Sequence, residues 1–226
     1  MKRFVFIFIL IMISIFTTSC KGTKEELDKL AVAVAIGYDI TLDGKYMLTV
    51  QILNPQQDSG GGMSGTGAGM PQKIAGVVVF GVIGDSISAC KGQLTTKLGR
   101  VLSYGHIKFI VIGNSLAESG ISMVVDATLR GYKMRPDTPL FVTKGNAFDI
   151  IKATSIHEKI PANEIANILM LQSSFGFTDI SSVLDFANSL SSKTASSVTG
   201  VINLSGNNQA DETFKCLVLQ SLGKIS

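Results

Sequence analysis

The stretch LAVAVAIGYDITLDGKYMLTVQIL, residues 30–53, decides the fold. Leu30, Val32, Val34, Ile36 and Tyr38 recur at period two, with Ala31, Ala33, Ala35 and Gly37 between them. Successive side chains of a strand point to opposite faces, so this pattern predicts a strand largely apolar on both faces. One of those faces carries only small residues, which lets a helix approach closely. Asp43-Gly44 is the pair that tight hairpin turns favour, because glycine takes positive φ without a Cβ penalty. Tyr46, Leu48, Val50 and Ile52 then alternate again. Residues 30–53 therefore predict an antiparallel hairpin.

Downstream, Asn54-Pro55 ends the second strand, and DSGGGMSGTGAGM at 58–70 reads as a flexible surface loop. No Lys-Ser or Lys-Thr pair follows its last glycine, so it lacks the pattern of a phosphate-cradling loop. Ile74 to Phe80 predicts a further strand. Ile87, Cys90, Leu94, Leu98, Val101 and Leu102 form a helical stripe, with Asp85 or Ser86 as N-cap. IKFIVIG at 107–113 suits a central strand. Ser115-Leu-Ala-Glu118 has the form of a capping box, and Ile121, Val124, Val125 and Leu129 make the stripe after it. PLFVTKG predicts a strand and NAFDIIKA a short helix. Pro161 starts a helix that places Ile165, Ile168, Leu169 and Gln172 on one side. Thr178 is placed to cap another, with Ile180, Val183, Leu184 and Ala187 on its face. Val198, Gly200, Ile202 and Leu204 alternate as a last strand. This order implies an α+β fold: a mixed, mostly antiparallel sheet with flanking helices.

The N-terminus has a different character. Lys2 and Arg3 precede an apolar run from Phe4 to Phe16, then Thr17-Thr18-Ser19-Cys20. That layout is a secretory signal. The apolar run falls short of the ~20 residues that a spanning helix needs. The small residues before Cys20 resemble the cleavage motif of bacterial lipoproteins, in which the cysteine thiol takes a diacylglycerol. We therefore expect a lipoprotein-type signal peptide at 1–19, a lipid anchor on Cys20, and an N-terminal α+β domain over 20–205. Thr23-Lys-Glu-Glu26 can cap a short lead-in helix.

The 226 residues carry a net charge of +3, which falls to about +1 without Lys2 and Arg3. A near-neutral chain gives no support for nucleic-acid binding. The chemistry-bearing residues are sparse. His106 and His157 are the only two histidines, and no cysteine cluster accompanies them, so no metal site is expected. His106 reads as a structural histidine bonded to nearby backbone. Cys90 lies on a buried stripe, and Cys90 and Cys216 read as single buried thiols rather than a disulfide. No G-x-S-x-G elbow occurs, and Asp39, Asp43 and Asp58 read as turn residues. Neither an enzyme nor a cofactor is expected. Arg130 and Arg135 flank GYKM in a charged loop that is either solvated or an edge for a partner protein.

Several of these motifs together resemble the C-subunit lipoproteins of bacterial spore germinant receptors. They are LDKLAVAVAIGYDITLDGKYMLTVQILNP, GDSISA, YGHIKFIVIGNSLAESGI and LRGYKMRPDTPLFVTKGNAFDII. Gly105, His106, Lys108, Gly113, Leu116, Ala117 and Gly120 stand in family-like places, as do Arg130, Arg135, Gly145, Ala147 and Ile150. The resemblance implies a lipid-anchored, non-enzymatic subunit on the outer face of the inner spore membrane. It would work beside integral-membrane A- and B-type subunits, which together respond to nutrients and start germination. Gly105, His106, Arg130 and Arg135 are the candidate structural or interaction residues. The chain departs from the family in lacking a tryptophan soon after Cys20. Family members also run longer. Residues 206–226, with Phe214-Lys215 and the apolar run after them, resemble the start of a following domain. That implies a truncated or frameshifted gene, or a piece of a longer chain. A solute-binding lipoprotein that feeds a transporter is the alternative reading; it requires two lobes around a cleft.

Overall fold

In the computed structural model, the chain divides into two units, Met1–Leu30 and Ala31–Ser226. The structure describes residues 3, 30–54, 72–74, 76–131, 134–154, 158–176, 179–192 and 198–203. The expected signal peptide, Cys20, the predicted Thr23 capping box, the predicted loop at 58–70, His157, Thr178, Cys216 and residues 206–226 lie outside these residues.

The first hairpin forms from β1 (Leu30–Ile40) and β2 (Tyr46–Leu53), paired antiparallel. Gly44 turns the chain at φ +74°, as the Asp-Gly pair predicts. The predicted alternation does not hold along all of β1. The register shifts between Ala33 and Ala35, and this irregularity resets the period. Ala31 and Ala33 consequently share one core with Ile36 and Tyr38, while Val34 and Ala35 face the other.

The segment predicted as a single strand at 74–80 is a hairpin instead. Its arms are β3 (Gln72–Ile74) and β4 (Val77–Gly84), and Gly76 sits between them at φ +81°. Helix α1 (Ile87–Leu98) follows, capped by Ser86, whose Oγ accepts from the Ala89 N–H at 3.1 Å. Gly99 ends α1 in the left-handed conformation. Val101 and Leu102, predicted on the helical stripe, therefore belong to a strand, β5 (Val101–Ser103).

Next come β6 (Phe109–Ile112), α2 (Asn114–Ser119), α3 (Ser122–Leu129), β7 (Pro139–Thr143) and α4 (Ala147–Lys152). The described chain closes with α5 (Pro161–Ser174), β8 (Ser181–Ser182), α6 (Val183–Ser191) and β9 (Val201–Ile202). The predicted Ser115 capping box does not form: α2 starts two residues earlier than such a cap would allow, at Asn114, with Gly113 as its N-cap. The capping box that does form is Ser182 with Asp185, at the head of α6. On α3 the inward place predicted for Leu129 goes to Thr128; Leu129 is exposed.

The fold is α+β around one mixed sheet, in the order β3-β4-β2-β1-β6-β7-β8, with β5 on β1 and β9 on β7. The β3, β4, β2, β1 side is antiparallel, whereas β1, β6 and β7 run parallel. Parallel strands are covered on both faces, and all four residues of β6 are buried. One face packs Ile36, Tyr38, Ile110 and Ile112 against α1, α2, α3 and α6. The other packs Val34, Phe109, Val111 and Phe141 against α4 and α5. Each fully buried side chain of this size stabilises the fold by roughly 1.5–3 kcal/mol. Of the predicted small-residue face of β1, the part beyond the irregularity admits α4: a Cβ on Gly37 would lie 2.9 Å from Ile151 Cγ1 and 3.1 Å from Ala147 Cβ.

Candidate functional site

Two polar groups inside the sheet fix where the helices of the second face begin and end. Asp39, predicted as a turn residue, is instead buried at the carboxyl end of β1. Its Oδ1 accepts from the Ala147 N–H at 2.7 Å and its Oδ2 from the Phe148 N–H at 2.9 Å. These are the unpaired donors that open α4. Burial pushes the Asp39 carboxyl above its usual range, and the two N–H bonds offset that only in part. Gly113 faces this carboxylate so closely that a Cβ there would lie 2.0 Å from Oδ1. Gln51 acts similarly on β2: its Nε2 donates to the Ile151 carbonyl at 3.0 Å, and its Oε1 accepts from the Ala162 N–H at 3.2 Å. One side chain thus ties the end of α4 to the start of α5.

The other buried reactive groups are likewise taken up by the fold. Cys90 is fully buried, its Sγ donates to the Tyr46 carbonyl at 3.4 Å, and burial raises its thiol pKa. The Lys91 ammonium donates to the Ala127 carbonyl at 3.0 Å and sits 5.6 Å over the Tyr104 ring. Burial lowers its pKa and pushes the Tyr104 phenol up to about 12. The Tyr38 hydroxyl is buried near Thr128, but neither oxygen has a hydrogen bond of good geometry. Among the described residues, no group of three or more His, Cys, Asp and Glu could hold a metal ion.

The four candidate residues fall at separate places. Gly105 and His106 form the turn between β5 and β6, closed by the Ile107 N–H to the Tyr104 carbonyl at 3.4 Å. His106 is exposed. Lys91 links the Tyr104 side of this turn to α3, whose last turn carries Arg130. Arg130 is exposed and pairs with Asp126 one turn back, Nε to Oδ1 at 2.7 Å. Arg135 forms a two-toothed pair with Asp137: Nε to Oδ1 at 3.1 Å and a terminal nitrogen to Oδ2 at 2.7 Å. This contact raises the Arg135 pKa and lowers that of Asp137. Both groups are fully exposed, so the pair adds little stability.

Arg135 and Asp137 stand at the mouth of a cleft of about 800 Å³, between the amino ends of β6 and β7 and one side of α5. Phe109, Phe141 and Leu169 form its buried floor, and Pro139, Ala166, Met170 and Ile180 its accessible apolar walls. Lys108, Glu158, Asn163 and Asn167 complete the polar rim. Sequence reasoning noted Lys108 only as a motif position and missed the cleft, whose lining comes from four separate stretches of chain. Asn163 and Asn167, four residues apart on a helix, were the available sign of a polar stripe. The open end of a parallel sheet usually lies at the carboxyl ends of the strands. Here Asp39 fills that end, and the cleft opens at the other.

Comparison with known proteins bears on the whole described fold. The family model for the spore germination protein N-terminal domain matches residues 23–204. Spore germination protein KC of Bacillus subtilis (strain 168) is 32% identical over 163 residues, which cover 71% of this chain and 39% of that protein. Putative spore germination protein YfkR of the same organism is 27% identical over 164 residues, 73% of this chain and 41% of that one. The chain thus spans about two fifths of the length of the curated relatives it matches. No solved structure matches it. The motif positions Gly113, Ala117 and Gly120 have physical reasons in the fold: close approach to Asp39, burial on the inner side of α2, and a φ of +106° after it. With its match running from 23 to 204, the chain belongs to the spore germination protein N-terminal domain family.

Proposed function

We propose that the protein is a lipid-anchored, non-catalytic subunit of a nutrient germinant receptor, held through Cys20 on the outer face of the inner spore membrane. It acts as a scaffold, presenting a rigid domain to integral-membrane A- and B-type subunits. The observation that carries this reading is the family match over residues 23–204, together with two relatives named as spore germination proteins. The chemistry of the domain is consistent with it. Asp39, Gln51, Cys90 and Lys91 all spend their polar atoms on internal contacts. No helix among the described residues is long and apolar enough to cross a membrane. Attachment through a diacylated Cys20 supplies the contact, at about 0.8 kcal/mol for each acyl CH₂ buried. A solute-binding role requires two lobes around a cleft, whereas the described residues form one sheet with helices on its faces.

Deletion of the gene, followed by germination in single nutrients, tests the receptor reading. We expect at least one nutrient response to be lost and to return with the wild-type gene. Normal germination in every nutrient, in a strain without a redundant receptor, refutes it. Cys20→Ser tests the anchor separately: the protein should move from the membrane fraction to the soluble fraction, and unchanged retention refutes lipidation.

A further inference from the structure

The rim of the cleft carries four charged side chains, two cationic and two anionic, and three of them have a side-chain hydrogen-bond partner within the domain. Arg135 and Asp137 hold each other through two hydrogen bonds. Glu158 accepts from Asn167 Nδ2 at 3.4 Å. Lys108 is different. Its backbone N–H donates to the Val34 carbonyl at 2.8 Å, which fixes the base of the side chain just before β6. Its ammonium has no ion pair among the described residues, and the residue is exposed. Although the rim charges balance in number, the Lys108 ammonium stands at the mouth without a partner among the described residues, and the complement of an ammonium is an anion.

The rest of the lining narrows what that anion belongs to. Asn163 and Asn167 lie four apart on α5 and both face the cleft. A carboxamide donates and accepts, as a peptide group does, and suits an extended backbone. Asn163 has no side-chain hydrogen bond among the described residues. Beside these amides, Pro139, Ala166, Ile180 and Met170 make an apolar wall, with Met170 65% exposed. A methionine side chain there adapts to more than one apolar shape. The volume of about 800 Å³ lies toward the upper end of the range for ligand sites, roughly 300–1,000 Å³, and exceeds what a single small acid fills.

We propose that this cleft binds the free carboxyl terminus of a partner polypeptide whose last side chain is apolar. The terminal carboxylate pairs with Lys108, the last side chain lies on Met170 and Ile180, and the preceding peptide groups bond to Asn163 and Asn167. Capture of a chain end in this way uses the one charge that only a terminus or an acidic side chain supplies. The proposal goes beyond the receptor reading and does not depend on it. Germination intact after gene deletion, with peptide binding retained, would sink that reading and leave this one standing.

The test uses the full chain in detergent micelles and fluorescence polarisation of an N-terminally labelled Gly-Ala-Ala-Ala-Leu peptide with a free carboxyl end. Competitors are the same peptide as its C-terminal amide and N-acetyl-leucine. The free acid should bind about 10-fold or more tightly than the amide, as expected when a charged hydrogen bond is lost. Lys108→Glu should weaken the acid by at least about 10-fold with an unchanged circular dichroism spectrum, and Lys108→Arg should preserve binding. Equal binding of acid and amide, no effect of Lys108→Glu, or no binding at about 1 mM overturns the proposal. N-acetyl-leucine competing as well as the pentapeptide overturns it too, since the cleft would then be a small-acid site.

Discussion

Gly113→Ala should be among the most damaging single-methyl additions in this domain. Its backbone, at φ −67° and ψ 154°, is one that alanine adopts freely, so the damage comes from space alone. The new Cβ would lie 2.0 Å from Asp39 Oδ1, 3.1 Å from Asp39 Cγ and 3.4 Å from the Ala147 nitrogen. Backbone on the far side leaves the carboxylate as the group that must yield. Turning it away breaks both bonds that open α4, at 2.7 and 2.9 Å. A buried donor left unmatched costs about 1–3 kcal/mol, so two cost about 2–6 kcal/mol. The loss of unfolded-state freedom on replacing glycine returns about 0.4–1 kcal/mol. The net expectation is a destabilisation of about 1–6 kcal/mol, read by urea unfolding of the full chain. A double-mutant cycle isolates the cause. With Asp39→Ala already present, Gly113→Ala meets no carboxylate and should cost under about 1 kcal/mol. A single-variant cost below about 0.5 kcal/mol, or strict additivity with Asp39→Ala, refutes the reasoning.

Other consequences can be checked in the same way. Burial raises the Asp39 pKa above its unfolded value of 3.8, so the folded state holds that proton more tightly. The stability this group contributes is then full below 3.8 and is lost as pH rises through the folded pKa. Relative to Asp39→Asn, the wild-type chain should therefore lose stability between pH 4 and neutrality; a relative gain would mean that the two N–H bonds outweigh desolvation. Thr128→Val removes a buried hydroxyl without a good hydrogen bond and should be neutral or stabilise by up to about 1 kcal/mol in thermal unfolding, whereas a loss above about 1 kcal/mol would show that it pairs with Tyr38. His106→Ala, at an exposed turn, should change the unfolding free energy by less than about 0.5 kcal/mol; a larger loss would show a structural role.

What could be read from the chain alone was local. Period-two alternation and Asp43-Gly44 determine the first hairpin, because side-chain period and turn chemistry act over a few residues. The apolar run at 107–113 determines a buried central strand for the same reason. Ser86 and Gly99 bound α1 by short-range hydrogen bonds and a left-handed φ, and Gly99 ends the helical stripe before Val101, a stop that periodicity alone runs past. Only the tertiary structure decided what depended on pairing. The irregularity in β1, seen in its pairing with β2, moves Val34 and Ile36 to different cores. Asp39 became a buried helix cap instead of a turn residue because its partners, Ala147 and Phe148, lie 108 and 109 residues away. Arg135 and Lys108 came to share a cleft because parallel β6 and β7 bring their amino ends together. Those contacts are fixed by the stacking of sheet and helices, and a reading confined to neighbours along the chain has no term for them.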